Sequence, residues 1–227
     1  MGHRSRRVVR GFATALVLLA LAAAPVAAHG IPAGDFSFSR SGLNADASTQ
    51  ECVDNADATT TCSGTGIFLF AGKTHTGGEG ANRGIELCAY AYTYTNVTAT
   101  GETIDFIEES GCTTELGAGS VFAKDLSTAT LTPTTVTIQG QICDEFGCVP
   151  AGDPRSVVVE GTWTGVGPVF RNSFRSVTDD GVCVFRDRSS GTFREATFSG
   201  TFDGQPLEAQ YASLSNGKFS FSASCTI

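Results

Sequence analysis

The stretch Lys218-Phe219-Ser220-Phe221-Ser222-Ala223-Ser224-Cys225 alternates apolar and hydroxyl side chains with a period of two. Successive side chains of a β-strand point to opposite faces, so this pattern gives one apolar face and one polar face. The same alternation recurs through the chain. Phe36 and Phe38 alternate with Ser37 and Ser39. Val136, Ile138 and Ile142 alternate with Thr135, Thr137, Gln139 and Gln141, and Val157, Val159 and Trp163 with Ser156, Glu160 and Thr162. Ala196, Phe198 and Phe202 alternate with Thr197, Ser199 and Thr201. One dry face and one wet face is the signature of an antiparallel sheet. After residue 28 no window sustains the 3.6-residue apolar spacing of a helix.

Turn signals separate these runs: Thr100-Gly101, Asp179-Asp180-Gly181, Asp203-Gly204 and Asn216-Gly217. Asp-Gly and Asn-Gly favour tight hairpins because both residues tolerate positive φ. Glycines inside the runs, such as Gly140, Gly161 and Gly200, suit bulges and strong coiling of a sheet. Counting runs gives about nine or ten strands. The expectation is an all-β domain over residues 29–227, a single antiparallel β-barrel or a two-sheet β-sandwich.

An internal duplication is a further expectation, with pseudo-repeats 36–125 and 126–227. In each half a close cysteine pair leads into a strand, and a third cysteine follows on the next one: Cys52, Cys62 and Cys88, then Cys143, Cys148 and Cys183. The competing explanation is convergence of Gly/Ser/Thr-rich β sequence upon itself.

Residues 1–28 read as a secretory signal peptide. Arg4, Arg6, Arg7 and Arg10 precede the apolar run Phe12–Ala23, and Pro25-Val26-Ala27-Ala28 resembles a cleavage site. The run is too short to span a bilayer, and no later stretch approaches the required length. Ser5-Arg6-Arg7 resembles a twin-arginine export signal, although paired arginines are common in ordinary signals. The expected location is extracellular. Removal of the signal leaves eleven basic against 23 acidic residues, a net charge of about −12. So acidic a chain disfavours nucleic acid and anionic lipid as partners.

Eight cysteines follow the signal: Cys52, Cys62, Cys88, Cys112, Cys143, Cys148, Cys183 and Cys225. An even number in an exported chain reads as a disulfide framework. Sequence-order pairing is expected: Cys52–Cys62, Cys88–Cys112, Cys143–Cys148 and Cys183–Cys225. The two short loops close at little entropic cost, and the other two pairs follow from the repeat. A zinc site at Cys143 and Cys148 lacks a second close ligand pair.

The sequence supplies little for catalysis. Asp105 and Glu109 share a strand face but stand about 13–14 Å apart, too far for one glycosidic bond. There is no Gly-x-Ser-x-Gly elbow, and only His29 and His75 remain after the signal. Cleavage after Ala28 makes His29 the first residue, with its amine and imidazole together. His29-Gly30 followed by Ser39-Arg40 resembles the mature start of the lytic polysaccharide monooxygenases. That resemblance implies a secreted β-sandwich with a two-histidine copper brace, here His29 with His75. The chain lacks that family's wealth of aromatic loop segments and has one tryptophan. The other explanation is that His29 simply follows a cleavage site and His75 lies in a loop.

Two binding surfaces compete with catalysis. Arg171 and Arg175 share strand parity, as do Arg186 and Arg188. On adjacent strands they form a cationic stripe suited to carboxylates, sulfated sugars or phosphate. The alternative is that they pair with Asp179, Asp180, Asp187 and Glu195. Tyr90, Tyr92 and Tyr94 form an aromatic ladder of the kind that stacks on sugar rings, or else they pack cross-strand beside Cys88. The expectation is a non-catalytic extracellular protein that binds an anionic or carbohydrate ligand or plays a structural role. A copper-dependent oxidative protein is the alternative.

Overall fold

The structure is a computed structural model that describes residues 35–77, 81–144, 147–179 and 181–225, with backbone alone at 35, 104 and 142–149. Residues 1–28 and His29 lie outside the described residues. Twelve antiparallel strands form one sheet, and there is no helix among the described residues. In chain order they are β1 (Asp35–Ser48), β2 (Glu51–Asp54), β3 (Thr59–Thr76), β4 (Asn82–Val97), β5 (Thr103–Thr113) and β6 (Val121–Phe122). Then follow β7 (Thr128–Asp144), β8 (Gly147–Gly165), β9 (Phe170–Asp179), β10 (Cys183–Phe202), β11 (Gln205–Pro206) and β12 (Tyr211–Cys225).

The expected count of nine or ten is therefore too low. The strands β2, β6 and β11 are four, two and two residues long, too short to carry a readable alternation. The pairing order runs β1-β12-β10-β8-β7-β5-β4-β3, and β1 also pairs with β3, so the path returns to its start. The strand β9 pairs with β10 outside this circuit.

One face of the circuit carries the core. Ala45, Ile67, Leu69, Leu87, Ala89, Val157, Val159 and Trp163 are fully buried there, and Leu214 almost so. The Trp163 indole packs against the Phe198 ring at 4.7 Å, and its Nε1–H donates to the Asp46 backbone oxygen at 2.8 Å. That bond satisfies the one polar atom of a buried indole.

Three expected turns are present. Gly101 and Gly181 take positive φ at the β4–β5 and β9–β10 connections, and Asp203 and Gly204 do so after β10. The fourth is corrected: Asn216-Gly217 lies inside β12, where Gly217 stands opposite Gly42 and Gly191. The reason is a row of glycines in register across five strands: Gly84, Gly72, Gly42, Gly217 and Gly191. A Cβ on Gly42 would lie 2.7 Å from the Gly72 Cα, and one on Gly191 2.8 Å from the Gly217 Cα. Backbones approach too closely there for any side chain.

The apolar pattern changes face at this row without a register slip. On β12, Ala212 and Leu214 face the core, whereas Phe219, Phe221 and Ala223 have the opposite parity. On β1, Leu43, Ala45 and Ala47 face the core, whereas Phe36 and Phe38 do not. Beyond the glycines, the core face of the sheet continues as its polar face.

Three disulfides join directly opposed residues of neighbouring strands: Cys52–Cys62 (β2–β3), Cys88–Cys112 (β4–β5) and Cys183–Cys225 (β10–β12). Cys143 and Cys148 are opposed in the β7–β8 register, and their side chains lie outside the described residues. Disulfides of this kind fit an extracellular protein. No helix among the described residues is long and apolar enough to cross a membrane.

Candidate functional site: a cationic sheet face

Beyond the glycine row, strands β4, β3, β1, β12, β10 and β9 lie side by side. Directly opposed residues of antiparallel neighbours share a face, so the register assembles the polar face in rows. One row reads Arg83, Lys73, Ser41, Lys218, Ser190 and Ser173. The next reads His75, Ser39, Ser220, Arg188 and Arg175. A third reads Ser37, Ser222, Arg186 and Val177. On the side nearer the core, Arg171 stands opposite Thr192. Strands lie about 4.8 Å apart and like-facing residues about 7 Å apart along a strand. The patch is thus roughly 20–25 Å in each direction.

Seven of the eleven basic residues that follow residue 28 sit on this face, and all seven are exposed. Among the described residues of these strands, two acids have the same parity, Asp35 and Asp179, and both stand in the outermost row with Ser224 and Val184. Asp187 and Glu195 point to the other face. Among the described residues, ion pairs engage Arg40 and Arg155, and none of the seven. Arg155 pairs with Glu109 at 2.7 Å and Asp203 at 3.5 Å, well away from the stripe. Arg194 is an eighth basic residue of the same parity, but it lies toward the core, is half-buried, and its guanidinium donates to the Gly167 and Leu126 carbonyl oxygens. A hollow of about 260 Å³ opens where Arg186, Arg188 and His75 meet Ser37, Ser39, Ser220 and Ser222, and Phe38 and Phe221, whose side chains have the opposite parity, also line it.

The four arginines singled out in the sequence thus share one face, with Arg175 directly opposite Arg188. Sequence reading missed Lys73, Arg83 and Lys218 as members of the same face. They lie far from the arginines along the chain, and only strand pairing brings them together.

His75 is an exposed residue of β3, not of a loop, and Ser39 and Arg188 lie in its row. No carboxylate shares that row. Ser39 and Arg40 are neighbours in sequence but point to opposite faces. The Arg40 guanidinium covers the Phe70 ring at 3.6 Å and bonds Glu86 at 2.8 Å. Burial lowers the pKa of Arg40, and Glu86 opposes that shift.

Tyr90, Tyr92 and Tyr94 lie on the core-averted face of β4. Their rings stack on one another at 6.3 and 6.0 Å with interplanar angles of 16° and 15°. Tyr90 and Tyr92 stand opposite Gly66 and Gly64, whose missing side chains make room for the rings. The Tyr94 hydroxyl accepts from Gln50 Nε2 at 2.7 Å. Burial raises the Tyr90 and Tyr92 phenols above their ordinary range. Glu86, Cys88 and Cys112 cluster closely, but the two sulfurs are bonded to each other and offer no thiolate to a metal.

No protein-family model matches the chain, and no curated protein and no solved structure matches it.

Proposed function

We propose that this chain is an exported, non-catalytic β-protein that binds an anionic ligand on its cationic face. The observation that carries this reading is the segregation of charge. In a chain with pI ≈ 4.8, seven of eleven basic residues lie exposed on one face with two acids, Asp35 and Asp179, at its outer edge. Like charges gathered without partners repel one another, and an anion relieves that repulsion. A nucleophile, a base and an orienting group do not converge there, as a hydrolytic site requires. The circular strand pairing supports a closed barrel over a sandwich, with the cationic face as an extension of one end. Copper held by His29 and His75 is the weaker reading, because a dication at His75 would sit among arginines and lysines.

The test exploits the mismatch between net and local charge. At pH 7 and low salt, the acidic mature protein is expected to be retained on a sulfonated cation exchanger. Arg186→Gln/Arg188→Gln is expected to elute in the flow-through, with its circular dichroism spectrum unchanged. Flow-through of the unsubstituted protein would overturn the reading.

A further inference from the structure

We propose that the ligand of the cationic face is a linear acidic polysaccharide lying across the strands from β3 to β9. This rests on the anion-binding reading above and names its ligand class. Three features of the face carry it.

The first is extent. From Lys73 on β3 to Arg175 on β9 the path crosses β1, β12 and β10, a span of about 20 Å at 4.8 Å per strand. A single sulfate or phosphate engages two or three donors, whereas a chain spans the whole row. The second is the division of the face. Cations stand at both flanks, Lys73 and Arg83 on one and Arg186, Arg188 and Arg175 on the other. Between them β1 and β12 present Ser37, Ser39, Ser41, Ser220 and Ser222, with Lys218 at their centre. A serine hydroxyl both donates and accepts, which suits a ligand that carries hydroxyls between its charges. Guanidinium and ammonium groups supply the donors that sulfate or carboxylate groups require. The third is the absence of stacking surface. Phe36, Phe38, Phe219, Phe221 and Phe185 all have the opposite parity, so among the described residues of these strands beyond the glycine row no aromatic side chain has the parity of the cationic face. Single-stranded nucleic acid depends on such rings for its bases.

The test uses isothermal titration of the mature protein with a sulfated polysaccharide, a polyuronate, single-stranded DNA, a neutral glucan and inorganic sulfate. All but the glucan are matched in concentration of charge. The sulfated polysaccharide or the polyuronate is expected to bind at least tenfold more tightly than DNA, with no heat from glucan or sulfate. Arg186→Gln/Arg188→Gln and Lys73→Gln/Lys218→Gln are each expected to weaken that binding at least tenfold. Ser39→Ala/Ser220→Ala is expected to weaken polysaccharide binding and leave binding to the sulfonated resin unchanged. Equal binding of DNA, or saturation by inorganic sulfate alone, overturns the inference. So does polysaccharide binding that survives both charge substitutions. Retention on the resin without polysaccharide binding overturns this inference and leaves the anion-binding reading standing. Failure of both overturns both.

Discussion

Asp46 shows how one residue ties the core to the outer face of the sheet. Its backbone oxygen accepts the Trp163 indole N–H, and its carboxylate accepts from the Ser213 hydroxyl at 2.6 Å. The residue keeps some accessible surface, yet protein surrounds it densely. Burial pushes its carboxyl up to about 6, and the Ser213 bond pulls the other way. The folded value then lies above the unfolded one, so the folded state holds the proton more tightly. The contribution of Asp46 to stability is greatest below about pH 4, falls as pH rises towards 6, and is a constant penalty above that. Asp46→Asn keeps an oxygen to accept from Ser213 and removes the charge. It is expected to be more stable than the parent at pH 8, by about 1–3 kcal/mol, and nearly equal to it at pH 4. Urea denaturation at the two pH values checks this. A difference of equal size at both would show that the carboxylate's charge is not the cause. Nothing in the sequence around Asp46 announces this role, because Ser213 and Trp163 reach it from distant strands.

At the scale of elements, the glycine row decides how the strands run. It crosses Gly84, Gly72, Gly42, Gly217 and Gly191, and its members differ in what surrounds them. A Cβ on Gly42 would meet the Ala71 carbonyl oxygen at 2.3 Å, whereas one on Gly84 meets nothing within 4 Å. Gly42→Ala is therefore expected to cost about 3 kcal/mol or more, because two strands must separate to admit it. Gly84→Ala, in the same row, is expected to stay within about 0.5 kcal/mol of the parent. Chemical denaturation of the two variants separates close approach from a general loss of backbone freedom. The row also explains what the sequence showed and what it hid. Period-two alternation identifies the strands, and Asp203-Gly204 identifies a turn. Asn216-Gly217 carries the same turn chemistry yet runs straight through β12, since Gly42 and Gly191 pair with it from both sides. The serine-bearing side of Phe219–Cys225 reads as an ordinary wet face. Its continuity with the core face is visible only once the register across the glycines is known.

At the scale of the molecule, local bridges hold a long-range circuit. The strand β1 pairs with β12 from the far end of the chain, and β3 completes the path, so most of the sheet depends on pairings between distant segments. The three described disulfides close spans of 10, 24 and 42 residues. In the chain-entropy account, their stabilisation rises from about 3 to about 4 kcal/mol in that order. Position separates them further. Cys183–Cys225 fastens β10 to β12 at the end where Arg186 and Arg188 oppose Ser222 and Ser220. Cys52–Cys62 fastens β2 to β3 at the other end of β3 from Lys73 and His75. Peptide mapping without reduction is expected to recover these bridges, and Cys143–Cys148 with them, since those two are opposed in register. Removing Cys183–Cys225 by paired serine substitution is expected to cost about 4 kcal/mol and to lower the salt needed for elution from the sulfonated resin. Removing Cys52–Cys62 is expected to cost about 3 kcal/mol and to leave elution unchanged. Urea denaturation and elution salt, measured on both variants, distinguish a bridge that shapes the cationic face from one that only stabilises the sheet. Equal elution by the two would show that the rows of Arg186 and Arg188 keep their geometry without the bridge beside them.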